Sequence, residues 1–269
     1  MKPHPRLLTF SVILSLWMVI GNCYFNPAVQ MVVSPEISEE TNPAAILGVA
    51  SLLATPRTVQ ITGQIVDANG VAVVGGTLTV LSRTNQLEGL TNSILLNEGG
   101  RFYLIASTGE TTVRVDQSGI ELFTFTISIP FPGSSLITNK SLSGPDVLNV
   151  EFYETGTTPT YLDMISSSPT QNETRMSTPT IFTFIFTEDL DTLVSDQAAW
   201  IAANVITNPP ISFNSSITFN TNQFSLSYLN GISTGNTYSI YLGSGIKSQT
   251  GKSLSPRLIS FYCSNCPPP

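Results

Sequence analysis

From residue 58 the chain alternates, with Val59, Ile61, Gly63 and Ile65 interleaved with Thr58, Gln60, Thr62 and Gln64. A period of two is the mark of a half-buried strand, one face toward a core and the other toward water. Asp67-Ala68-Asn69-Gly70 follows it with turn chemistry, since asparagine and glycine tolerate positive φ. Further strands are predicted at 77–81, 101–105, 111–115, 122–127 and 147–152, punctuated by glycines and polar turns. Many short strands with no long helical period predict an all-β chain built as an antiparallel sandwich.

Three segments carry a family resemblance: 61–70 (Ile-Thr-Gly-Gln-Ile-Val-Asp-Ala-Asn-Gly), 74–80 (Val-Gly-Gly-Thr-Leu-Thr-Val) and 100–104 (Gly-Arg-Phe-Tyr-Leu). Residues 57–153 thereby resemble the carboxypeptidase regulatory-like domain, a transthyretin-like, Ig-type sandwich, although Ala72 stands where that family often has proline. The resemblance implies a non-catalytic β module of exported proteins and brings no catalytic residue with it.

A polar link, 154–160, leads to a second unit. Its segment 180–186 places Phe182, Phe184 and Phe186 on one face and Ile181 and Ile185 on the other, so a central strand covered on both sides is expected. A short helix is predicted over 195–205, with Ser195 or Asp196 as its cap and Ala198, Ala199, Ala202 and Ala203 as strong helix formers. Strands resume at 216–219, 224–228, 238–242 and 258–262. Ser168-Pro169, the 179–188 segment, Tyr238-Ser239-Ile240, Gly245-Ile246-Lys247, Gly251 and Leu254 make residues 159–266 resemble the bacterial Ig-like domain described from S-layer proteins. That resemblance implies another sandwich, used as a spacer or surface module.

Ahead of both units, Lys2 and Arg6 precede an apolar run of 14 residues, 7–20, and then Gly21-Asn22-Cys23. Such a run reads as a secretory signal, because a membrane-crossing helix needs about 20 residues. Val19-Ile20-Gly21-Asn22-Cys23 resembles a relaxed bacterial lipobox of the spirochaete kind, with Asn22 in place of the usual small residue. What this implies is a signal peptide over 1–22, diacylation of Cys23, and anchorage in the envelope, with the outer membrane as the expected site. Two acyl chains hold a protein on a bilayer where one does not. Prolines 27, 35, 43 and 56 break the stretch 23–56 into a flexible tether, within which 44–54 has the composition of a short helix.

Composition then excludes classes of function. The single histidine, His4, lies in the leader, so the mature chain lacks the commonest general base and the commonest nitrogen ligand for transition metals. Losing Lys2 and Arg6 leaves 9 basic against 18 acidic residues, a balance of −9, which disfavours nucleic acid as a partner. Cys263 and Cys266 have three readings. As half a zinc site they lack the two further ligands required. As a redox pair they lack a following helix, since Pro267-Pro268-Pro269 comes next. A disulfide formed after export, a local clip on the last strand, is the expectation.

Other motifs have bland readings beside sharp ones. Residues 245–253 look like a phosphate loop, but five residues separate the glycines where four are required, so a hairpin is expected, and Ser244-Gly245-Ile246-Lys247 matches only a short Ser-x-x-Lys tetrad. Glu188, Asp189, Asp191 and Asp196 are dense enough to suggest calcium, yet lack EF-hand spacing and read as a solvated loop. Tyr24, Phe25, Tyr228, Tyr238, Tyr241 and Tyr262 suggest a binding face, although tyrosine in strands is usually sheet packing.

The expectation is therefore two tandem Ig-like or transthyretin-like sandwiches on a lipid-anchored tether, with no metal or cofactor. Its partners would be the membrane through the anchor, and a host or envelope protein or a glycan through the body. An inward-facing envelope scaffold is the alternative, and a hydrolase working with carboxylates or a Ser-Lys pair is a remote one.

Overall fold

The structure is a computed structural model that describes residues 55–267. The leader, Cys23, the tether and the short helix expected at 44–54 lie outside the described residues. The rest is all-β: β1 (Thr58–Val66), β2 (Thr77–Arg83), β3 (Ser93–Leu95), β4 (Arg101–Ser107), β5 (Gly109–Gln117), β6 (Ile120–Phe131), β7 (Ser134–Thr138), β8 (Asp146–Tyr153), β9 (Met164–Ser168), β10 (Glu173–Arg175) and β11 (Ile181–Phe186). A helix, α1 (Gln197–Asn204), then precedes β12 (Val205–Asn208), β13 (Ser212–Asn220), β14 (Gln223–Asn230), β15 (Asn236–Leu242) and β16 (Arg257–Cys263).

Four sheets pack as two facing pairs. In the first lobe the order β4-β1-β8 faces β3-β2-β5-β6-β7 across a core that includes Ile61, Leu78, Phe102, Val113, Phe123 and Phe125. In the second, β10-β16-β15-β12 faces β13-β14-β11-β9 across Phe182, Phe184, Phe186, Phe224, Ile240 and Phe261. Pairing is antiparallel except for β10, which runs parallel to β16. The β5–β6 hairpin turns on Ser118 and Gly119, both at positive φ, the geometry whose twist suits a two-residue turn.

Two expectations change, and one alternative is resolved. β1 is expected to be wet on its polar face; Thr58 is exposed and Gln60 half-buried there, but Thr62 and Gln64 are as buried as Ile61, because the second lobe covers that end of the face. β11 was expected to be covered on both sides. Its phenylalanines are fully buried, whereas Ile181 is 53 % exposed and Ile185 half-buried, because their outer row meets small or polar neighbours such as Ser227, Ser225 and Ser166 in the adjoining strands. The helix begins one residue after Asp196, which caps it by accepting from the Ala199 N–H at 2.9 Å, so Ser195 is not the cap.

Candidate functional site

The link between the lobes is fastened down. The Tyr103 hydroxyl donates to the Pro159 carbonyl at 2.9 Å, and the Tyr161 hydroxyl donates to Glu151 Oε2 at 2.6 Å. Beneath Tyr161 lies Arg101, from the start of β4, its guanidinium carbon 4.1 Å from the ring centroid. Its Nη2 and Nε donate to both oxygens of Asp163, at 2.6 and 2.9 Å, and the two side chains are 0 % and 2 % exposed. Burial alone would lower the Arg101 guanidinium, but the hydrogen bonds and charge of Asp163 outweigh it and raise it above its ordinary value. Burial, then the bond to Glu151, raises the Tyr161 phenol as well.

A second set of bonds crosses beside the first. Gln64 Nε2 donates to the carbonyls of Gly99 (2.8 Å) and Met164 (2.9 Å), one in each lobe. Arg257 reaches back from β16 to the Gly70 carbonyl at 2.7 Å and to Gln64 Oε1 at 3.3 Å. Among the described residues it makes no ion pair, and burial pushes its guanidinium down to about 10. Backbone bonds from Ala72 to Ile165 and from Gln171 to Asn69, and Asn149 on Ser255 and Pro256, close the junction. Arg101, Asp163 and Arg257 are the buried charged side chains among the described residues, and all three serve this junction.

The residues singled out in the sequence fall elsewhere. Cys263 and Cys266 are bonded to each other, with Cα atoms 5.8 Å apart and both side chains fully buried. Glu188 is held by Lys252 and Thr250, whose hydrogen bonds depress its carboxyl below the usual range. Asp191 accepts from the Leu193 N–H and Asp196 caps α1, so the acidic group is distributed over local turns. Among the described residues no cluster of three His, Cys, Asp or Glu side chains is placed to hold a metal ion. Residues 247–253 form a hairpin, with Lys247 bridged to Ser253 and Gly251 at positive φ, and Ser244 and Lys247 stand exposed beside it.

The tyrosines divide. Tyr238 is core, stacked on Phe261 with its hydroxyl bonded to Gly231 and Ser233, and the hydroxyl of half-buried Tyr228 accepts from the Ile232 N–H. Tyr241 stands outward between Ile206 and Leu258 in one cross-strand row, with Tyr262 further along the face; Tyr24 and Phe25 lie outside the described residues.

A shallow, open groove lies on the second lobe among the described residues. It holds about 390 Å³ between the 191–200 segment and the 243–247 turn, and its wall includes Asp191, Leu193, Asp196, Trp200 and Lys247. The two loops are tied by the Asp191 N–H donating to the Lys247 carbonyl at 2.9 Å. No protein-family model matches the chain, and none of the curated proteins matches it.

Proposed function

We propose that the chain is an exported, non-catalytic envelope lipoprotein, anchored through lipid on Cys23, whose body acts as a structural or adhesive module at the cell surface. On this reading residues 57–153 form the carboxypeptidase regulatory-like domain and 159–266 the bacterial Ig-like domain that their motifs resemble. The observation that carries it is the use of buried charge. An enzyme working without histidine would concentrate perturbed acids and bases in a cleft, whereas here Arg101, Asp163 and Arg257 are spent on fixing one lobe against the other. A body of that kind presents its surface in one fixed arrangement, which suits a module that is held out from a membrane to meet something else.

The test is metabolic labelling with radioactive palmitate, alongside proteinase treatment of intact cells with a periplasmic protein as control. Label lost in Cys23→Ser, together with digestion while the control survives, is the expected result. Label unaffected by that substitution sinks the anchor, and survival of the protein until the envelope is broken sinks the outward-facing role.

A further inference from the structure

The second lobe is short of charge. From Gln197 to Ile246 the sequence holds no Asp, Glu, Lys, Arg or His, in a chain with 11 % charged residues and a net charge of −7. That stretch supplies α1, β12, β13, β14 and β15, and β16 adds only the buried Arg257. The sheet β10-β16-β15-β12 therefore presents an uncharged outer face, its side chains laid in cross-strand rows. Ile206, Tyr241 and Leu258 make one row, 56, 39 and 59 % exposed. The next is small and polar, with Ser239 and Ser260 Oγ atoms 2.9 Å apart, and Tyr262 stands in a third beside Thr237. The charges of β10 turn away from this face: Glu173 and Arg175 stand in register with buried Phe261 and Cys263 and bond to each other.

We infer that two copies of the chain meet through this face, about a two-fold axis parallel to the strands. Copies of an acidic chain repel one another wherever like charges come close, and a face that carries none is where they approach at least cost. Interface centres are depleted of charge and anchored by aromatic side chains, as Tyr241 is placed to do here. The free edge of the sheet is a poor route, because β12 has four residues and Pro209-Pro210 close it. A bilayer would bury the Ser239–Ser260 row with nothing to bond it, and a small ligand wants a concavity that a sheet face does not offer. A second copy answers both rows. The axis along the strands lays each row on itself in reverse order, so Leu258 meets the other copy's Ile206, Tyr241 meets Tyr241, and serine hydroxyls meet serine hydroxyls. A perpendicular axis would lay the apolar row on the hydroxyls of Thr237 and Tyr262 instead. With strands about 4.8 Å apart and about 3.4 Å per residue, the face spans about 19 by 24 Å at its widest. That lies below the about 800 Å² per partner of a standard interface, so the dimer is weak, with a Kd of about 0.1 mM.

The test is cysteine cross-linking in the full chain, purified in detergent. Cys263 and Cys266 are bonded to each other, so Cys23→Ser in every sample leaves an introduced thiol as the only free one and takes the anchor out of the outcome. At about 0.1 mM protein, Tyr241→Cys should form a disulfide-linked dimer under mild oxidation about tenfold faster than Leu136→Cys, which stands exposed on the first lobe. Leu258→Asp added to Tyr241→Cys should bring the rate down to that of the control, because it sets a carboxylate against the other copy's Ile206. These side chains are all exposed, so the thermal midpoint should hold in every variant. Equal rates for Tyr241→Cys and Leu136→Cys overturn the proposal, as does a Tyr241→Cys rate that Leu258→Asp leaves unchanged. Shielding of the Tyr241→Cys thiol from maleimide by phospholipid vesicles, with no dimer, assigns the face to a bilayer and overturns it too.

Discussion

Replacing Asp163 with alanine strips the Arg101 guanidinium of the carboxylate that meets it at 2.6 Å and leaves the cation sealed beneath Tyr161, 0 % exposed. What remains to it is the Thr62 hydroxyl at 3.4 Å and the face of the ring. A buried pair adds little compared with two apolar residues, but breaking one costs about 3–5 kcal/mol, because the surviving charge stays desolvated. Against a total stability of about 5–15 kcal/mol for a folded domain, that is a large fraction. The loss falls on the junction, not on either core, since the phenylalanine clusters of the two lobes share no residue with the pair. Calorimetry should therefore show one transition for the unaltered protein and a lower, broadened or divided one for Asp163→Ala. The double variant Arg101→Met with Asp163→Leu removes the stranded charge and should return to within about 1 kcal/mol of the original. A single variant that loses less than about 1 kcal/mol, with its transition unchanged, refutes the view that this pair holds the lobes together.

Two further outcomes test the same reasoning from other sides. A methyl group on Gly99 would lie 2.6 Å from Asp163 Cβ and 2.8 Å from its Oδ2, so Gly99→Ala should displace the carboxylate and cost about 1–3 kcal/mol by denaturant unfolding, and an unmoved midpoint would show that the loop yields freely. Glu188 is held below its ordinary value of 4.5 by Lys252 and Thr250, so on acidification the unfolded chain takes up the proton first. Its contribution is complete above about pH 4.5 and fades as pH falls through the folded value. With both partners partly exposed, Glu188→Gln should cost under about 1 kcal/mol near neutrality and nothing in strong acid; a cost that persists unchanged in acid refutes the assignment.

The strands were legible because alternation and turn residues act locally. Val59, Ile61 and Ile65 do point into a core, and the 67–70 turn closes as its residues suggest, with Asp67 accepting from the Asn69 and Val71 N–H groups. Short edge strands were not legible: β3 and β7 have too few residues to show a period, and each adds to the sheet by pairing and by one side chain on the core, Ile94 and Ile137. The junction escaped for a different reason. Arg101 and Asp163 are 62 residues apart, and each by itself reads as an ordinary solvated charge. The available signal was context, since Arg101 directly precedes Phe102 in a predicted strand and Asp163 lies between Leu162 and Met164. In a chain with 11 % charged residues, charges set into apolar strings are candidates for burial. The groove had a weaker trace still: Trp200 follows the acidic group by one helical turn, but Lys247, some fifty residues on, reaches it only through the Asp191–Lys247 backbone bond.

A polar junction also does what an apolar one would do less well. Two greasy faces slide and tilt at small cost, because dispersion has little directional preference, whereas hydrogen bonds fail steeply as their angles close. Gln64 donating at once to Gly99 and Met164, with Arg257 tied to both Gly70 and Gln64, allows one mutual orientation, and any rotation strands several buried groups together. The loops at 191–200 and 243–247 are thus held in register with the sheet β4-β1-β8 through β16, the strand that carries Arg257. That a chain otherwise so poor in charge places Arg101, Asp163 and Arg257 here assigns these three to geometry: they fix how the two lobes meet.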